Sequence, residues 1–461
     1  MASDTAKRNV LIASALGSSL APFMVSALIV ALPTIGREFS ADTASLGWVT
    51  SIFFLAAAMF LVPLGRIADI HGVKKVFTTG IFVYFLSVLL CSIAPDIRFL
   101  IGARFITGIG AGMIFGTSIA LLSLVFSESE RGKAIGINVA AMSVGFLLGF
   151  FAGGILTYYT TWRMIFLLTI PVEIAVIFLI LTRIKGECEI TRQRGLDLSG
   201  MFLYCLAIFF IMVGFSTLPQ FTGGTLFAAG VVCSLLFVLN ESRVKFPVVP
   251  VDLLMKNKTF LTTNLIVVIF NASNFAFIFL FTLYLQDIRA LDARVAGLLL
   301  LTPIFFMALL SPFAGRLSDR TAPRMVIGAG ILLSSAGLFL CVFLDRSTSF
   351  LFIIVALSLI GTGIAFCQSP LVRTSVSSVQ KEMFGLASGM IETMRLIGMT
   401  ISIAITIIVF TVVIGNNHIT PPVFPLFIQS FHLLFLVFFG ISLCGLLVVF
   451  FLKRESPVQT L

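Results

Sequence analysis

Four ionisable side chains, Arg104, Glu173, Glu392 and Arg395, stand inside stretches that are otherwise almost pure hydrocarbon. A carboxylate in a low-dielectric site can take up and release a proton, because desolvation favours its neutral form and a neighbouring cation its charged form. Glu173 follows Arg163 by roughly 15 Å of helical rise, near the midplane of a hydrocarbon layer about 30 Å thick. With no cation within a helical turn, it is the leading candidate for a proton carrier; the alternative is a structural hydrogen bond to another helix. Glu392 lies roughly 12 Å inside its segment and has Arg395 at i+3 on the same face. That pair reads either as internal glue or as a switch broken by substrate. Arg104 is roughly 8 Å inside its segment. An arginine in hydrocarbon costs at least about 2.5 kcal/mol, so it faces a cavity or carboxylate, or it snorkels to the outer interface.

The elements that carry these residues follow from composition. The chain is 59% hydrophobic and 11% charged, with a mean hydropathy of +1.14, which excludes a soluble fold with a polar exterior. A span needs about 20 predominantly apolar residues. Such segments fall at about 10–34, 46–65, 76–94, 99–125, 134–157 and 162–182, then 198–217 and 222–240, then 260–285, 295–315, 325–344, 350–371, 384–413 and 427–452. The expectation is an all-α polytopic membrane protein with fourteen spans. Most of the 30 Lys and Arg gather on one side of this arrangement when both termini are cytoplasmic, as the positive-inside rule requires. The net charge of +10 therefore reports topology and contact with anionic lipid, and a nucleic-acid partner is not expected. The apolar run after Lys7 and Arg8 is longer than a signal-peptide core and reads as an uncleaved first helix. Seven scattered cysteines suggest neither disulfides nor a metal site.

One polar string occurs twice. GRIADIHGVKKV begins at Gly65 and GRLSDRTAPRMV at Gly315, each between two spans, so that Arg66, Asp69 and Lys74 are matched by Arg316, Asp319 and Arg324 at one constant offset. Two copies imply two homologous halves, the layout of a transporter built from parallel repeats. The domains read as 1–183 for the first six-helix half, 184–245 for a linker with two additional helices, and 246–461 for the second half.

This plan resembles the 14-span drug:proton antiporter branch of the major facilitator superfamily. GRIADIHGVKK matches the superfamily's cytoplasmic loop signature; Gly65 and Gly72 allow tight turns and close helix approach, and the resemblance implies a gating latch made of Arg66, Asp69 and Lys74. RFITGIGAG from Arg104 is similar to the span-four motif, which implies a part in proton transfer or coupled movement. Gly136, Gly145, Gly149, Gly153 and Gly154 reproduce the spacing of the span-five antiporter motif, with Phe150 where the family pattern has proline. Gly145, Gly149 and Gly153 also suit a close helix seam by themselves. ALPTIGREF from Ala31, Trp162 with Arg163 and Pro171, and GLASGMIETMRLIG from Gly385 are further matches. The chain departs at Met24, where members commonly carry an acid, and at Glu392, where an amide-like residue is usual.

The resemblance implies alternating access by two halves of the major facilitator fold, exporting lipophilic, neutral or cationic, small molecules in exchange for protons across the cell membrane. The missing span-one acid leaves open a selective exporter or uncoupled facilitator of one endogenous metabolite. Ser26, Asn138, Thr169, Asn271, Asn274 and Gln368 are polar groups at membrane depth, available to a substrate cavity or to a neighbouring helix. Among 49 Phe, some can hold lipophilic cations through their ring faces. Three separated histidines, His71, His418 and His432, and the absence of a GxxxxGK[ST] string argue against an enzyme or an ATPase. No cofactor is expected; the partners are a small-molecule substrate, protons and the lipid bilayer, and the protein reads as a monomer.

Overall fold

The computed structural model describes residues 4–183, 195–218, 220–244, 247–248, 256–379, 384–415, 419 and 421–452. The polar segment 184–194 and His418 lie outside the described residues. The first helices are α1 (Asp4–Phe39), α2 (Thr43–His71), α3 (Val73–Ser92), α4 (Ile97–Val125), α5 (Glu128–Tyr159) and α6 (Arg163–Arg183). Two more follow, α7 (Leu198–Ser216) and α8 (Phe221–Glu241). The last are α9 (Lys258–Asn274), α10 (Ala276–Leu283) continued by a π-helical turn Tyr284–Ile288, α11 (Ala293–Arg320), α12 (Pro323–Cys341), α13 (Phe350–Ser377), α14 (Phe384–Val413) and α15 (Phe424–Val449). With α9, α10 and the π turn as one span, 14 helices among the described residues are long and apolar enough to cross a membrane. The fourteen expected segments are all present.

The chain forms two compact units, Met1–Phe39 with Trp48–Val251 and Ser40–Gly47 with Asp252–Leu461. Inside the first, α1 packs on α4, α5 and α6, and α3 packs on α4 and α6. Inside the second, α9 packs on α13, α14 and α15, and α12 packs on α13 and α15. The same pairing pattern thus occurs twice, which is what two homologous halves require.

Glycines set how close these pairs come. A Cβ on Gly80 of α3 would stand 3.2 Å from the Gly110 carbonyl oxygen of α4, and one on Gly330 of α12 would stand 2.9 Å from that of Gly363 on α13. In lipid the hydrophobic effect does not drive helices together, so such backbone approach and its dispersion contacts must hold the halves. Helix starts are fixed by side chains that accept from otherwise unpaired backbone N–H groups: Asp96 from Phe99 N, Asp197 from Gly200 N, Asn257 from Phe260 N and Asp292 from Val295 N. Burial is uneven. The apolar window of Lys258–Ile288 is 83% buried and that of α8 only 11%, which makes the former central in its unit and α8 a peripheral, lipid-facing helix.

Candidate functional site

Arg104 is 1% exposed and therefore does not snorkel to an interface. α4 carries it against α2, where its guanidinium lies 4.4 Å from the Phe53 ring centroid and its Nε donates to the Val49 carbonyl at 3.4 Å. Its Nη1 has no hydrogen-bond partner. A buried cation held by one ring face and one carbonyl is costly, the pattern expected where function retains a charge.

Glu173 is 0% exposed on α6, and among the described residues its carboxylate oxygens have no hydrogen-bond donor beside them other than the Thr169 hydroxyl. Thr169, one turn earlier on the same face, donates its hydroxyl to the Phe166 carbonyl at 2.9 Å. Tyr84 of α3 is fully buried and within electrostatic range of both Glu173 and Arg104. Its hydroxyl donates to the Leu20 carbonyl of α1 at 3.3 Å. The phenol thus joins α3 to α1 directly. Nothing in linear hydropathy singles out this tyrosine, because what matters is the face it presents. Met24, in the position of the missing acid, is fully buried.

The glycine string of α5 divides. Cβ atoms on Gly145, Gly149 and Gly153 would run into α1 at Ser19, at Ser26 with Phe23, and at Ala27, whereas one on Gly136 would meet nothing within 4 Å. Gly154 is buried. Ser26 lies under this seam with its hydroxyl donated to the Pro22 and Phe23 carbonyls of its own helix. Asn138, on the same α5, accepts from the Ser14 hydroxyl at 3.2 Å and leaves its amide nitrogen unpartnered.

In the second unit, Glu392 and Arg395 of α14 form the expected i,i+3 ion pair at 3.2 Å. Asn271 and Asn274 of α9 each donate an amide to the carbonyl one turn back, Val267 and Phe270. Asn264, which the sequence reading passed over, does the same toward Phe260. The side-chain oxygens of Asn264 and Asn274 are buried without partners. Gln368 is partly buried on α13.

The repeated polar string is more helical than its expected loop. α2 continues through Arg66 and Asp69 to His71, Gly72 alone makes the turn at φ 109°, and Lys74 already belongs to α3. Only glycine takes that backbone angle without strain. In α2, Gly65 faces α4, its Cβ position 3.7 Å from the Gly116 carbonyl oxygen. In the second copy Arg316 and Asp319 lie on α11 and Arg324 on α12, which starts with Pro323 at its first turn. Polar residues with adequate helix propensity simply extend the span out of the lipid.

Two further matches meet in space. Glu38, from ALPTIGREF, accepts from Trp162 Nε1 at 2.6 Å and from Arg163 Nη1 at 2.6 Å, while Arg163 Nη2 reaches the Ala94 carbonyl at 3.1 Å. The Glu38 carboxylate ties the end of α1 to the start of α6, and Arg163 extends the tie to the end of α3.

The Major Facilitator Superfamily model matches residues 14–403 and 263–460. Multidrug resistance protein Stp of Mycobacterium tuberculosis (strain ATCC 25618 / H37Rv) is 34% identical over 404 residues, covering 86% of this chain and 74% of Stp. Puromycin resistance protein pur8 of Streptomyces alboniger is 30% identical over 389 residues (82% and 76% covered), and riboflavin transporter RibZ of Clostridioides difficile (strain 630) is 27% identical over 388 (84% and 84%). Among solved structures, the POT family transporter PepTSo superposes with a TM-score of 0.72 at 14% identity over 100% of both chains, a likeness of fold alone. The chain belongs to the Major Facilitator Superfamily, as a fourteen-span transporter of its drug-efflux branch.

Proposed function

We propose that this transporter exports lipophilic small molecules, cations included, in exchange for protons, with Glu173 as the proton carrier. The observation that carries the reading is a fully buried carboxylate with no cationic partner among the described residues, whose one neighbouring hydroxyl, that of Thr169, already donates to the Phe166 carbonyl. An ionised carboxylate so placed lacks the pairing that would offset its desolvation. Protonation and a change of surroundings are therefore linked, which is the requirement for coupling an ion to alternating access. Glu392 with Arg395 supplies a second ionisable element. Arg66, Asp69 and Lys74, with Arg316, Asp319 and Arg324, act as gates at the cytoplasmic helix ends. Drug resistance proteins among the relatives support the substrate class. The protein works as a monomer in the cell membrane with both termini cytoplasmic.

A second reading, a selective transporter of one metabolite without obligatory coupling, draws on the buried Met24 in place of an acid and on the riboflavin transporter relative. Proteoliposomes with an imposed proton gradient separate the two. Proton flux evoked by ethidium in the intact chain and abolished in Glu173→Gln supports antiport. Ethidium movement down its own gradient without proton flux in either protein sinks coupling.

A further inference from the structure

Pro63 lies inside α2. Proline has no N–H, so the carbonyl four residues earlier, that of Met59, loses its helical partner, and the ring pushes the helix apart at that point. In lipid an unpaired carbonyl must find another donor. That donor comes from α7: Cys205 Sγ donates to the Met59 carbonyl at 3.3 Å. The neighbouring Tyr204 hydroxyl donates to the Ala58 carbonyl at 3.1 Å. Met59 and Ala58 are 7% and 1% exposed, so neither carbonyl has water as an alternative.

α7 is in turn fixed to α8. A Cβ on Gly230 would stand 2.7 Å from Ile211 Cγ1, and the Tyr204 and Phe237 rings are 5.7 Å apart. Pro63 lies one turn before Arg66 and two before Asp69 on the same continuous helix, so whatever holds α2 at this point sets the position of both.

We propose that the two additional helices are a brace on the first half: Cys205, assisted by Tyr204, is a positioning residue for transport that supplies the hydrogen bond removed by Pro63 and so fixes the aim of the gating end of α2. The inference rests on the gating role proposed above for Arg66 and Asp69 and is independent of proton coupling and of the substrate.

The test is a double-mutant cycle on the full chain in nanodiscs, read by amide hydrogen exchange over Leu64 to Ala68. Cys205→Ala should speed exchange there about three- to tenfold, the range one net hydrogen bond supports. Cys205→Ser, which restores a donor, should exchange as the wild type does. In a Pro63→Ala background, where residue 63 regains its own N–H, Cys205→Ala should add nothing. Ethidium efflux from proteoliposomes should follow the same order, falling in Cys205→Ala and recovering in Cys205→Ser. Unchanged exchange in Cys205→Ala, or an equal increment in the Pro63→Ala background, overturns the proposal. If the wild type moves no ethidium, the substrate reading fails and the exchange cycle alone decides this one.

Discussion

Gly149 of α5 sits against Ser26 of α1 so closely that a Cβ on the glycine would overlap the serine hydroxyl. That hydroxyl is already committed to two carbonyls of its own helix and cannot turn away without losing them. Gly149→Ala should therefore force the helices apart and cost about 1–3 kcal/mol, the usual range for overpacking. Gly136→Ala, with nothing within 4 Å, should leave stability and transport near wild type. Thermal unfolding in detergent and efflux from proteoliposomes check both. Equal sensitivity at the two glycines would show that the motif acts through something other than the seam with α1.

Arg104 offers a test of fold against function. Replacing a buried, poorly paired cation by an apolar side chain of similar length removes a desolvation cost. Arg104→Met should hold or raise the melting temperature while abolishing drug-evoked transport. Arg104→Lys keeps the charge but loses the planar stack on Phe53, and should cost about 1–2 kcal/mol. Loss of stability in Arg104→Met would assign this arginine to the fold instead.

Span number and order were legible because hydropathy and length alone decide what crosses a membrane. The two halves were legible because one polar string is repeated between spans. Facing was not legible. Hydropathy placed Arg104 in a span but could not say whether it pointed at lipid or at Phe53, and spacing joined Gly136 to Gly149 although only the latter touches α1. Nor could any local pattern connect Cys205 to a carbonyl 146 residues away. The resemblance names the polar string a loop, yet α2 carries Arg66 and Asp69 on to His71, because charge ends a span without ending a helix.

Asp345, in the turn between α12 and α13, carries the clearest pH prediction outside the membrane. Hydrogen bonds from the Ser347 hydroxyl and backbone, then from the Thr348 hydroxyl, lower its pKa from the ordinary 3.8. A depressed folded value stabilises the protein above the unfolded pKa, and that contribution disappears as pH falls through the folded one. The turn also receives Tyr284 at the Asp345 carbonyl and Arg289 at that of Thr348, so its shape anchors the end of the α10 span. Wild type should melt above Asp345→Asn at pH 6, and the gap should close as pH falls below the ordinary 3.8 and through the lower folded value. A gap independent of pH would mean that the carboxylate charge contributes nothing to the turn.

The carboxylate of Glu38 joins the end of α1 to the start of α6, and its failure can be watched directly. Trp162 is 1% exposed and its indole N–H points at Glu38. The chain has only 2 Trp, so a Trp48→Phe background makes Trp162 the sole reporter. Glu38→Ala removes the acceptor for Trp162 and the partner of Arg163, whose ion pair is partly exposed and thus screened. The loss should be about 1–2 kcal/mol, with the larger share from the buried indole left unpaired. Trp162 emission should shift as its N–H loses the carboxylate. Glu38→Gln keeps an amide oxygen for Trp162 and should recover most of the spectrum but only part of the stability, because Arg163 then faces a neutral group. If Glu38→Gln restored both fully, charge would play no part at this junction; if it restored neither, the geometry of the two carboxylate oxygens would be the feature that holds α1 to α6.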